Sequence, residues 1–471
     1  MTLAGAATRN ALSNNPKRIL LRDLDGQSRT GGQILSNVDR VAGALLRHCG
    51  AGCRIGLWYW NSFAAVEAFL ATEWVGGARL PVDPGVPVPE AAAIFHAGKV
   101  DAILTDRDHA AEFDIPVLVH DDVAPIEANP VWPGIDFDPD KTLFLYPRAV
   151  NNGRLFAIPL SYGNWEATME TNISLFKSGR YGDWTGDDEC FLSSQQIMHG
   201  TGFMGTFPFL RMGLPQVLAR KFDADRILKA VERYGITSTM LVPAMLTKLA
   251  DAAEKRPEVA KSLRHILYGG GPIHLNEIRR ALDRLGDALV QVYGRVEGGW
   301  PISILDTNDH QSIANGDDEL GASCGRSIRE VEIDFRPSLA SATDRGELLV
   351  RSAMVVGDYA DPNGWCSLGD IVRRDKRGYL FHEGRLDRMI NTGYHVYPEE
   401  IEEAIARVPG VASVKVVGET DEKWGETVVA YLVPGSERDK ENLVEIVKEF
   451  LEGKLAKYKI PRIFHIIDGI E

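Results

Sequence analysis

Two segments of this 471-residue chain run from apolar residues straight into glycine: His265–Gly271 (HILYGGG) and Ala288–Gly294 (ALVQVYG). Short apolar runs of this kind predict strands, and glycine at a strand's carboxyl end lets a ligand approach the backbone closely. Gly269, Gly270, Gly271 and Gly294 are therefore candidate ligand contacts. Side chains able to handle a charged ligand stand nearby in sequence or in comparable punctuated segments: Tyr293, Glu297, Asp370, Arg385 and His199. A carboxylate such as Asp370 can accept two hydrogen bonds at once. A guanidinium fork such as Arg385 suits oxyanions. A carboxylate oxygen such as that of Glu297 suits a hard ion such as Mg2+. Each also has an ordinary structural reading: a turn aspartate, a hinge salt bridge, a solvated glutamate, a core tyrosine, a structural histidine.

The elements that must hold these residues form a repeated β-α-β pattern. From Arg54 to Asp122, Ile55–Trp60, Arg79–Asp83, Asp101–Asp106 and Pro116–Asp121 read as strands. Asn61 and Ser62 open an amphipathic helix that ends in glycines. Thr142–Pro147 reads as a strand with Phe156–Ser161 as its return, and Ser161 caps the helix that follows. Alternating strands and helices predict mostly parallel sheets covered by helices. From Gly321 to Arg351 the segments become shorter and β-like. After Arg373 a charged, glycine-punctuated stretch predicts a boundary. Beyond it, helices at Tyr397–Gly410 and Arg438–Leu455 and strands at Val411–Glu419 and Gly425–Pro434 predict a small α+β unit. The expected organisation is α/β: a large unit over 1–384, a hinge at 385–388 and a small mobile unit over 389–471.

Composition narrows the function class. The chain is 44% hydrophobic and 25% charged, with net charge −14. That balance argues against a nucleic-acid surface. No stretch approaches the roughly 20 apolar residues of a membrane span, and the amino terminus does not read as a signal peptide. Five scattered cysteines predict a reduced, cytoplasmic protein. His48, Cys49 and Cys53 lie close together but lack a second ligand pair, so they read as a helix-end cluster.

In order along the chain, seven segments resemble the adenylate-forming superfamily of acyl- and aryl-CoA synthetases, adenylation domains and luciferase. They are Gly56–Pro84, Met198–Phe203 (MHGTGF), Tyr268–Ile273 (YGGGPI), Val292–Gly299 (VYGRVEGG), Gly321–Ser327 (GASCGRS), Gly364–Val372 (GWCSLGDIV) and Gly384–Glu402. The resemblance implies ATP/AMP binding, Mg2+, and CoA as co-substrate for a small-molecule carboxylic acid. It implies attack of the acid on the α-phosphate of ATP, release of pyrophosphate, then attack of a thiol on the acyl-adenylate. Asp370 would bind the ribose hydroxyls, Tyr293 would stack on adenine, and Gly269–Gly271 would admit the adenosine. Glu297 would hold Mg2+, Arg385 would reach ribose or phosphate, and His199 would line the acid pocket near the thiol path. Asp387 would be the hinge about which the small unit swings, and Gly393 would let the pantetheine arm pass. Gly298, Gly299 and Trp300 would border the acyl pocket. A homodimer is compatible with the resemblance.

Three departures fall on the phosphate and carboxylate side. The family's phosphate loop corresponds to Tyr146–Ser161, where Tyr146, Gly153 and Ser161 align. Its hydroxyl residues give way to Val150 and Asn151, its lysine to Phe156 and the next glycine to Ala157. Arg148, Arg154, Asn151 and Asn152 remain as donors, from different geometry. Val296 replaces the signature threonine. Glu471 falls short of the P-x-T-x-x-G-K segment that carries a further lysine. Three lost charge-assisted contacts at about 1.5–3 kcal/mol each would slow adenylation roughly a thousandfold to a millionfold. Three functions follow: an acid–CoA ligase with rearranged phosphate contacts, a non-catalytic nucleotide- or acyl-adenylate-binding homologue, or acid activation for a separate carrier protein.

Overall fold

The structure is a computed structural model that describes residues 5–106, 113–122, 135–151, 153–337, 344–386, 389–421, 424–435, 440, 442–467 and 469. Two mostly parallel sheets dominate the large unit. In one, strands Leu289–Arg295, His265–Gly269, Ser238–Leu241, Phe191–Ser193, Gln216–Leu218 and Ile19–Asp23 run parallel in that order. Gly299–Leu305 folds back antiparallel onto Leu289–Arg295. In the other, Val117–Val119, Ala102–Thr105, Arg54–Trp58, Ala78–Pro81 and Thr142–Asn151 run parallel, and Arg154–Ser161 closes the edge antiparallel. The expected α/β class with a β-rich segment and a small α+β unit is what the chain adopts.

Side-chain caps start the helices where the sequence places them. Ser62 accepts from the Ala65 amide ahead of Phe63–Trp74, and Ser161 does the same for Asn164 ahead of Tyr162–Lys177. One helix differs from expectation. Phe63–Trp74 is not amphipathic in place, because every residue from Ala65 to Trp74 is buried. Its two glutamates, which suggest a wet face, find buried partners: Glu67 meets Asn37 and His120, each at 2.9 Å, and Glu73 lies 3.7 Å from Arg79. Burial pushes the Glu73 carboxyl up to about 7, against the opposing pull of Arg79.

The β-rich segment is an antiparallel four-stranded sheet, Glu332–Pro337, Arg345–Arg351, Cys366–Arg374 and Leu380–Arg385. The charged stretch after Arg373 is therefore partly sheet, its glycine serving the turn before Leu380. Further on, helix Pro398–Ile405 packs with strands Val411–Asp421, Gly425–Pro434 and Ile463–Ile466 around their own apolar core. The last predicted helix is shorter than expected, Leu443–Leu451.

A buried cluster joins the small unit to the large one. Lys459 Nζ donates to Glu90 Oε1 at 2.6 Å and to Glu400 Oε1 at 2.8 Å, and the Ala456 amide donates to Glu90 Oε2 at 2.6 Å. Glu90 belongs to the large unit's helix Val88–Gly98. Charges this buried are retained only when paired, so the cluster holds the two units in the arrangement seen here.

Candidate functional site

Three elements build the site. Parallel strands His265–Gly269 and Leu289–Arg295 end side by side, with Gly269 opposite Val292. A β-carbon on Gly269 would lie 2.2 Å from the Val292 carbonyl oxygen, so only glycine lets the strands pair this closely. Gly270 follows at φ 84°, in the region that favours glycine. The third element is strand Cys366–Arg374, which pairs Asp370 with Arg385 across the antiparallel ladder. Gly269→Ala is expected to cost about 1–3 kcal/mol, the range for forcing extra atoms into a packed site. A thermal melt checks this; an unchanged midpoint contradicts it.

These ends surround a cavity of about 610 Å³ lined by Gly269, Gly270, Gly271, Tyr293, Gly294, Arg295, Asp370 and Arg385, with Asn391 and Glu426 from the small unit. Seven of the predicted site residues thus meet in one place. Asp370 is 1% exposed and holds a donor on each oxygen: Tyr293 Oη donates to Oδ2 at 2.5 Å, and the Arg385 guanidinium pairs with Oδ1. His382 lies 3.4 Å from the same Oδ1. The tyrosine that the resemblance assigns to stacking therefore also orients the carboxylate.

Glu297 lies just behind this cavity, at the tight turn between Leu289–Arg295 and Gly299–Leu305. Its Oε1 accepts from Arg295 Nε and from Arg148 Nη2, both at 2.7 Å. Burial alone would push this carboxyl up, but the charges of Arg295 and Arg148 outweigh burial and hold it below the ordinary range. Both guanidinium contacts fall on Oε1. One carboxylate with substrate phosphates is the usual protein share of a Mg2+ site, and the arrangement fits that ion.

The remaining predicted residues lie elsewhere. His199 Nε2 contacts Asp83 Oδ2, and its ring lies 5.4 Å from that of Tyr394. Tyr394 stacks on Tyr458 at 4.3 Å and follows Gly393, whose φ is 84°. His199 and Gly393 are thus linked through Tyr394 where the two units meet, and neither is among the residues lining the glycine-lined cavity. Gly298 and Trp300 pack into the core, against Leu368 and Gly294 respectively. Asp387 and Asn152 lie outside the described residues, as does the side chain of Asn151.

The stretch that corresponds to the phosphate loop is a hairpin. Strands Thr142–Asn151 and Arg154–Ser161 pair to the tip, where Asn151 faces Arg154. Gly153 adopts φ 70° there, in the region that favours glycine. Gly153 is not among the cavity residues, and no described residue beyond its chain neighbours lies within 4 Å of where its β-carbon would be. Arg154 leans over Phe156, which is 46% exposed, at 5.6 Å. Arg148 reaches inward, with its guanidinium on Glu297 and 5.7 Å from the Tyr397 ring. Arg295 escaped the sequence reading. It stands inside the Y-G-x-x-E signature beside Val296, where an arginine was the available signal.

Comparison with known proteins agrees with this geometry. The AMP-binding enzyme family matches residues 8–141 and 157–360, and the AMP-binding enzyme C-terminal domain matches 400–471. The interruption, 142–156, coincides with most of the hairpin. A 2-succinylbenzoate–CoA ligase of Bacillus cereus is 28% identical over 88% of this chain and 85% of its own length. An indoleacetate–CoA ligase of Aromatoleum aromaticum is 34% identical over 60% of this chain and 56% of its own. A double mutant of the o-succinylbenzoate CoA synthetase of Bacillus subtilis, bound with its product analogue OSB-NCoA, superposes with TM-score 0.85, at 23% identity over 99% of this chain and 95% of that one. The same synthetase in complex with AMP gives 0.71, so the overall arrangement here is nearer the first. With a family match over well more than half its length, this chain belongs to the AMP-binding enzymes.

Proposed function

We propose that the chain is an ATP-dependent acid–CoA ligase: it joins a small carboxylic acid to AMP and passes the acyl group to the thiol of CoA. The observation that carries this is the single cavity that gathers Gly269–Gly271, Tyr293, Asp370 and Arg385 from four separate motifs. Asp370 grips the ribose, and Arg385 leaves it for a phosphate oxygen when nucleotide enters. Mg2+, typical of the family, would take its protein oxygen from Glu297 and neutralise phosphate charge. Positioning and charge stabilisation do most of the work in such a reaction.

His199 and Gly393 then mark the way in for the thiol, at the seam sealed by Tyr394 and Tyr458. The arrangement of the two units supports their reading as the thioester-forming one, since it is nearer the relative holding a CoA product analogue. In that reading 389–471 turns about 385–388 between half-reactions. CoA is favoured over a carrier protein because the curated relatives are CoA ligases. The reduced cysteines favour the cytoplasm, and a homodimer is compatible with the fold.

A second reading, nucleotide binding without turnover, is favoured by one observation: the hairpin that stands where relatives carry the phosphate loop. Acid-dependent exchange of labelled pyrophosphate into ATP separates the two. A panel led by 2-succinylbenzoate and indoleacetate is expected to give exchange above the acid-free rate with at least one acid. No exchange with any acid, alongside measurable AMP binding, overturns the ligase in favour of the binder.

A further inference from the structure

We propose that Arg295, seconded by Arg148, supplies the phosphate-binding charge that the altered loop and Val296 no longer supply. The inference rests on the reading of the cavity as a nucleotide site. Three observations carry it. Arg295 lines the cavity beside Gly269–Gly271 and Asp370, yet its side chain is only 5% exposed. Its Nε is fixed on Glu297 at 2.7 Å, which aims the rest of the fork. Nη1 is 3.6 Å from Asp370 Oδ1, beyond hydrogen-bond reach, and among the described residues neither amino group donates a hydrogen bond.

Around Glu297 and Asp370 stand three guanidiniums, those of Arg148, Arg295 and Arg385. Guanidinium donors in fixed fork geometry match phosphate oxygens. The hairpin contributes through Arg148, which Glu297 holds inward while Arg154 and Phe156 face away. The phosphate charge would thus come from Arg295 in the signature turn and Arg148 in the hairpin strand, not from the hairpin tip.

The test compares AMP with adenosine by titration calorimetry on the full chain. Wild type is expected to bind AMP more tightly than adenosine. Arg295→Met should cut that preference about ten- to a hundredfold, the effect of losing one charge-assisted contact, and leave adenosine binding unchanged. Arg295→Lys should restore part of it, and Arg148→Met should cause a smaller loss. Unchanged adenosine binding also shows that the variant folds; Arg295→Met leaves Glu297 paired with Arg148 and Asp370 paired with Arg385. If wild type binds both equally, or Arg295→Met keeps the preference, the inference fails while the nucleotide site stands. If wild type binds neither, the nucleotide site fails and takes the inference with it.

Discussion

Glu297→Gln is expected to lower the free energy of unfolding by about 3–5 kcal/mol at neutral pH, the range for breaking a buried ion pair from one side. Glu297 is 4% exposed, and its Oε1 holds both Arg295 and Arg148. Glutamine keeps an acceptor oxygen and removes the charge, leaving the buried Arg295 with only the more distant Asp370. The pH dependence has a definite sign. The carboxyl is held below its ordinary value in the folded protein, so its contribution is full above the unfolded value of about 4.3. It is lost as pH falls through the lower folded value. Urea unfolding of wild type and variant should therefore differ most at neutral pH and converge in acid. Equal stability at neutral pH, or a gap that persists undiminished in acid, contradicts the ion-pair account.

Asp370→Ala is expected to weaken AMP binding about 10²- to 10⁴-fold. Two charge-assisted hydrogen bonds to the ribose, at about 1.5–3 kcal/mol each, give that range. The pairing of Asp370 with Tyr293 and Arg385 shows that donors reach both of its oxygens from the cavity side. The decisive control is 2′-deoxy-AMP in the same titration. Wild type should bind it less tightly than AMP, and the variant should not distinguish the two. An Asp370→Ala protein with wild-type AMP affinity removes Asp370 from the ribose contact.

Much of this was legible in the residues themselves. The glycine-ended strands, the caps at Ser62 and Ser161 and the antiparallel return of Arg154–Ser161 are local signals, and local signals survive into the fold. What escaped depended on partners far away in sequence. Glu67 and Glu73 made Phe63–Trp74 look half-wet, because their partners His120 and Arg79 cannot be inferred from spacing. Arg148 and Glu297, 149 residues apart, could not be paired without the fold. Arg295 was overlooked beside Val296, since a missing hydroxyl at one position says nothing about a guanidinium at the next. Gly153, which aligns with the phosphate loop, stands at the tip of the hairpin that the expected return strand makes.

The central claim, that this cavity serves an AMP-forming acid–CoA ligation, is tested most directly by product analysis. The full chain is incubated with MgATP, CoA and each acid of the panel, and AMP and acyl-CoA are quantified together by mass spectrometry. The account predicts that an accepted acid yields AMP and its CoA thioester in equal amounts, and that Asp370→Ala yields neither. Thioester formation accompanied by ADP instead of AMP, or no AMP above the acid-free control with any acid, would contradict it.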